Sequence, residues 1–274
     1  MNSRFWSVLA LSAGGVAGIF GLGVRVFERA NLYHPSSAIS ATPADAGLDY
    51  EEVRILAEDG VRTQAWWIPC EDARGALIAF HGNAENIGDL VRLASAWRGR
   101  GASVLLSEYR GYGNSDGRPS ERGFTRDARA AFDFVRQRQG DHPDPIILYG
   151  RSLGAAVAAR LAADRPAGGV VLESGFASTR HMAQALFPGW PVGRLLRERY
   201  EVVSCMPRIH APVLIAHSPE DEMIPIEQAE LNYDAANPPK RFVRLAGGHN
   251  DGFTPAHREY EEELDRFAEE VFGR

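Results

Sequence analysis

The chain has 274 residues, 45% of them hydrophobic and 24% charged, with a formal net charge of -6. That balance excludes a disordered chain, and the mild acidity excludes the clustered basic face that a nucleic-acid partner requires. Its two cysteines, Cys70 and Cys205, lie far apart and lack metal-ligand spacing, so neither a disulfide framework nor a thiolate metal site is expected.

From Phe5 to Val24 there is no charged residue, and Arg4 and Arg25 bracket the run. Its length suits one membrane span, since a helix rises about 1.5 Å per residue. A cleaved signal peptide is the competing reading, but it would carry a shorter apolar core and a clearer small-residue cleavage site than Gly21 and Gly23 offer. Residues 1–28 are therefore predicted to be a membrane anchor. Arg4 and the free amine on one flank balance Arg25 and Arg29 on the other, so the side facing the domain stays open. Residues 29–49, with Pro35, Ser36, Ser37, Pro43 and Gly47, read as a linker, and 50–274 as the folded domain.

The domain opens with a predicted hairpin, Glu51–Ala57 and Val61–Ile68, turned at Asp59-Gly60. Short runs rich in Val, Ile and Leu follow at Ala76–Phe80, Ala102–Ser107, Pro145–Tyr149, Gly169–Leu172, Pro212–Ala216 and Arg241–Leu245. Such runs suit strands buried on both faces. Between them Ile87, Leu90, Val91, Ala94 and Trp97 keep helical spacing, as do Phe124, Ala128, Ala131, Phe132 and Val135. A last helix is predicted through Tyr260, Leu264, Phe267, Ala268 and Val271, with Thr254 as N-cap and Pro255 at its first position. This order implies an α/β fold, a mostly parallel sheet with helices on both faces.

The strongest chemical signal is Gly150-Arg151-Ser152-Leu153-Gly154, a G-x-S-x-G between a buried strand and a small-residue helix. There a serine sits on a sharp turn, with the helix N-terminus aimed at developing negative charge. A serine hydroxyl needs a base, and His249 follows the last strand. The acid is expected between the two in sequence, at Asp221, with Glu220, Glu222 and Glu173 as rivals. The strand ending His81-Gly82-Asn83 is expected to give one oxyanion amide, from Asn83, and Leu153 the other. His81 is expected to brace that loop rather than act as a second base.

The strings HGNAEN, EYRGYGNSDGRPSE, GRSLG, HSPEDEMIP and GGHND together resemble the serine α/β-hydrolase superfamily, and within it a branch of single-span proteins with a small lid. The resemblance runs from about Leu32 to the C-terminus. It implies the α/β-hydrolase fold, hydrolysis of acyl esters or thioesters and no cofactor, with Ser152, Asp221 and His249 as triad; no metal is expected, because the residues form no metal-binding constellation. Two departures stand out: Glu108 where DYRGYG has aspartate, and Ser218 where glycine usually precedes the acid. Tyr109–Ser115 reads equally as a pocket lining or a tight glycine turn.

Fewer than 40 residues separate Glu173 from Pro212, among them Met182, Leu186, Phe187, Trp190, Leu195 and Leu196. That allows a small apolar cap and favours a small-molecule or lipid-like acyl substrate. An aminopeptidase or amidase is the alternative, with Glu198 and Glu201 as candidate amine ligands. A catalytically silent module tethered to the membrane is the reading from a different class.

Overall fold

A computed structural model describes residues 32–140, 144–251 and 257–273, together with Gly23 and Glu28. Eight strands form one sheet: β1 (Glu51–Leu56), β2 (Arg62–Ile68), β3 (Gly75–Phe80), β4 (Ala102–Ser107), β5 (Ile146–Arg151), β6 (Gly169–Glu173), β7 (Val213–His217) and β8 (Lys240–Arg244). Their order is β1-β2-β4-β3-β5-β6-β7-β8. The first hairpin is antiparallel, β2 joins β4 antiparallel, and every later pair is parallel.

Period-two alternation divides each central strand between two cores. In β3, Ala76, Ile78 and Phe80 face one layer while Leu77 and Ala79 face the other; in β5, Ile146 and Leu148 oppose Ile147 and Tyr149. Both sides are apolar because helices cover both. On the first side lie α2 (Glu121–Gln139), α3 (Leu153–Asp164) and α6 (Ile226–Ala235). On the second lie α1 (Val91–Gly99) and α7 (Arg258–Phe272), which bury Trp97, Tyr260, Leu264 and Phe267. Between β6 and β7 stand α4 (Thr179–Leu186) and the short α5 (Val202–Cys205), which make up the small cap.

Ser120 starts α2 by accepting the Gly123 amide at 3.1 Å, leaving its apolar stripe inward. The predicted helix at 87–97 is divided: Asn86 caps a 3-10 turn at Ile87–Leu90, and α1 follows. Thr254 and Pro255 lie outside the described residues, and α7 starts at Arg258 after His257 as N-cap.

Among the described residues no helix is long and apolar enough to cross a membrane. The predicted span Phe5–Val24 lies outside them, Gly23 apart. Residues 32–49 differ from a free linker. Tyr33 is buried against Phe124, and Pro43 is buried in a 3-10 turn. Ser36 O accepts the Gly113 amide, and Ser36 Oγ and Ala38 O accept the Asn86 side chain. Proline, glycine and serine signal irregular backbone, but they say nothing about whether that backbone is packed.

Candidate active site

The turn from β5 into α3 puts Ser152 at φ 52° and ψ -116°, a strained conformation for a residue with a side chain. Two glycines make the turn possible. A Cβ on Gly150 would stand 2.1 Å from Gly154 O, and one on Gly154 would stand 2.1 Å from Phe80 O. The helix therefore crosses β5 and β3 at backbone contact, and its first amides arrive beside the serine.

Ser152 Oγ lies 3.1 Å from His249 Nε2, and His249 Nδ1 lies 2.7 Å from Asp221 Oδ2. The other carboxylate oxygen, Oδ1, accepts the Met223 and Ile224 amides at 2.9 and 2.8 Å. Burial pushes the Asp221 carboxyl up, but the imidazole and the two amides outweigh it and hold it below its usual value. An ionised Asp221 only accepts, so Nδ1 carries the ring proton and Nε2 is left to accept from the serine hydroxyl.

The rivals for the acid have other partners. Glu222 accepts the His249 amide at 3.0 Å, and Glu220 accepts the Gly247 amide. Glu173 is fully buried and accepts the Tyr149 and Tyr260 hydroxyls at 2.9 and 2.8 Å. Burial raises its carboxyl. Ser218, where glycine is usual, donates to Gly247 O and accepts the Glu220 amide, joining the acid loop to the histidine loop.

The β3 loop passes close to Ser152: a Cβ on Gly82 would lie 3.5 Å from Ser152 Cβ. Glu85 occupies the Gly82 amide at 2.6 Å. Among the described residues the Asn83 and Leu153 amides have no protein acceptor. The Asn83 side chain is fixed from two sides, its Oδ1 accepting the His34 amide at 2.9 Å and the Tyr112 hydroxyl at 2.7 Å. His81 is buried, with Nδ1 at 2.7 Å from Gly82 O and Nε2 at 2.5 Å from Glu108. It braces the loop as its position suggests. Burial pushes its pKa down, but the Glu108 carboxylate outweighs that and raises it. The longer Glu108 also reaches the Ile87 and Tyr109 amides. In Tyr109–Ser115, Tyr109 and Tyr112 are buried and Gly111 and Gly113 have positive φ, so the segment is a tight turn that braces the loop after β3.

Two participants escaped the sequence reading. Arg151 pairs with Glu85 and donates to His249 O at 3.2 Å and Asn250 Oδ1 at 3.1 Å, so one guanidinium joins the loop after β3 to the loop that carries His249. His217 is buried with Nε2 at 2.8 Å from Ile224 O and 3.4 Å from Asp221 Oδ2; burial lowers its pKa and keeps it neutral beside the acid. No spacing signals either contact, because both partners are remote in sequence or fixed by loop shape.

A family model described as serine aminopeptidase, S33, matches residues 71–201. An uncharacterized protein of Mycobacterium tuberculosis is 37% identical over 88% of this chain and 89% of its own. The Arabidopsis thaliana α/β hydrolase domain-containing protein WAV2 is 31% identical over 88% of this chain and 87% of its own. A Saccharomyces cerevisiae relative named as an uncharacterized membrane protein is 30% identical over 90% and 92%. Among solved structures, a Pyrococcus furiosus esterase superposes with a TM-score of 0.74 at 20% identity, covering 88% of this chain and 100% of that one.

Proposed function

Because the chain belongs to the α/β-hydrolase superfamily, we propose that it is a serine hydrolase that cleaves carboxylic esters or acyl thioesters through an acyl-enzyme. The observation that carries this reading is the chain of hydrogen bonds from Ser152 Oγ through His249 to Asp221, beside two amides without protein acceptors.

His249 Nε2 removes the hydroxyl proton as Ser152 Oγ attacks the carbonyl carbon. The oxyanion forms between the Asn83 and Leu153 amides, each contributing about 3–4 kcal/mol to the transition state. Asp221 holds the Nδ1 proton and stabilises the imidazolium. The imidazolium then gives its proton to the leaving alcohol or thiol, and water repeats the sequence on the acyl-enzyme. Arg151 and Ser218 hold the loops that carry Asn83, Asp221 and His249 in register.

The family model's description supports a second reading, an aminopeptidase or amidase on the same triad. Against it, Glu198, one of the two candidate amine ligands beside Glu201, already accepts the Tyr33 hydroxyl at 3.2 Å and the Glu121 amide at 2.7 Å. The test is fluorophosphonate labelling of the full-length protein, with rates on p-nitrophenyl esters and aminoacyl-anilides in parallel. Wild type is expected to label and to prefer esters, and Ser152→Ala to do neither. Labelling that survives in Ser152→Ala would sink the nucleophile assignment.

Residues 1–28 are proposed to anchor this domain to a membrane, on the strength of the uncharged run Phe5–Val24 and the yeast relative's description. Release of the protein by alkaline carbonate would refute the anchor.

A further inference from the structure

The cap carries an apolar surface that the proposed chemistry does not use. Leu186 is 63% exposed, Phe187 42%, Trp190 73% and Leu195 48%. They fall within ten consecutive residues, so the exposed apolar side chains concentrate in one segment of the cap rather than scatter singly over the surface. The same stretch of chain carries exposed positive charge. Arg180, Arg194, Arg197 and Arg199 are exposed, and among the described residues none of them forms an ion pair. A cationic patch around exposed Leu, Phe and Trp, on a chain of net charge -6, suits an anionic lipid surface.

The chain path points to the same occupant. The Glu28 carboxylate accepts the Arg197 and Glu198 amides, each at 2.8 Å, so the cap holds the chain there. Tyr33 then buries its ring and hydrogen bonds the Tyr200 hydroxyl at 2.8 Å. Glu28 stands four residues after Val24, where the uncharged run ends. Four residues reach at most about 14 Å, so the cap cannot stand farther than that from the end of the run. The segment that leads from β6 into the cap leaves the sheet beside Ser152, since Glu173 O, at the end of β6, accepts the Ser152 amide at 2.9 Å.

We infer that the cap surface of Leu186, Phe187, Trp190 and Leu195, rimmed by unpaired arginines, lies on an anionic bilayer and turns the active site toward acyl groups carried by the membrane. The inference rests on the anchored-hydrolase reading and narrows its substrate to lipid-borne acyl compounds. An anchor alone would leave the domain free to tumble about its tether; a second contact fixes its orientation.

The test uses full-length protein in phosphatidylcholine vesicles with and without phosphatidylglycerol, some made with brominated acyl chains. The fluorescence difference between wild type and Trp190→Phe isolates Trp190. Trp190 is expected to be quenched by brominated lipid, more strongly with phosphatidylglycerol present. In the triple variant Leu186→Ser, Trp190→Ser, Leu195→Ser, hydrolysis of a vesicle-borne fluorogenic ester is expected to fall by on the order of tenfold or more, as apolar interfacial contacts are lost. Its rate on p-nitrophenyl butyrate should stay at the wild-type level, which also reports that the variant folds. An unquenched Trp190 overturns the inference, including the case where iodide cannot reach it, because a second copy or the chain's own N-terminal segment then covers the patch. Carbonate extraction of the same vesicles reports the anchor separately: protein that resists carbonate with Trp190 unquenched loses the cap contact and keeps the anchor.

Discussion

Gly154→Ala tests whether the close crossing of helix and sheet positions the chemistry. The added Cβ would meet Phe80 O at 2.1 Å and His81 O at 2.7 Å. Both are backbone atoms, and Phe80 lies in β3 between two hydrogen-bonded neighbours, so neither can swing aside. Real Cβ atoms essentially never come within 3.0 Å of such neighbours, so the first contact is 0.9 Å too short and α3 must retreat by about that much. Leu153 is the preceding residue, and its amide moves with the turn. A displacement of about 1 Å in a positioned group costs on the order of 10² in rate. Overpacking of this kind destabilises by about 1–3 kcal/mol, and the better helix propensity of alanine returns up to about 1 kcal/mol. A net loss of about 1–2 kcal/mol lowers Tm by about 2–8 °C in a domain of this size. The assay is kcat on p-nitrophenyl butyrate together with a thermal melt followed by circular dichroism. Gly99→Ala is the control: it ends α1 with nothing within 4 Å of the added Cβ, and should leave kcat unchanged and Tm level or slightly raised. If Gly154→Ala kept wild-type kcat and Tm, the argument that this contact sets the amide's position would be refuted.

Asp221→Asn is expected to lower kcat/KM by on the order of 10⁴, because the ring proton is then no longer fixed on Nδ1, whereas Glu173→Gln should cost stability more than rate. Matched kinetics and melts separate the two, and a larger rate loss for Glu173→Gln would move the acid. The pH dependence of stability tests the His81–Glu108 pair. The folded state raises the His81 pKa, so the pair's contribution is fully present below about 6.5 and is lost as pH rises through the raised value. The Tm difference between wild type and Glu108→Gln should therefore be largest at acid pH and shrink toward alkaline pH; a difference constant from about pH 5 to 9 would show that His81 carries no charge there.

Much of the fold is legible locally. A strand buried on both faces must be apolar at every position, as Ile146-Ile147-Leu148 is, and an amphipathic helix must repeat near 3.6, as Phe124 to Val135 does. The hairpin was marked by Asp59-Gly60, and the serine turn by glycines that leave no room for a Cβ. Strand order was not legible, since nothing in β3 or β4 states that β4 lies between β2 and β3. Nor was the packing of residues 32–49, whose composition resembles that of a free linker although Tyr33 and Pro43 are buried.

The sequence by itself determined the element types, the residue classes of the candidate site and their chain order, because these depend on periodicity and on local steric demands. Only the tertiary structure decided which acid stands at His249, with Asp221 on Nδ1 while Glu173 is held by two tyrosines. It also decided that Arg151 joins two loops across 66 and 98 residues of chain, and that Glu28 fastens to the cap across 169. Hydrogen bonds have a reach of about 3 Å. Groups so distant in sequence come within it only when strand register, helix crossing and loop path are all fixed together, and no local pattern encodes that sum.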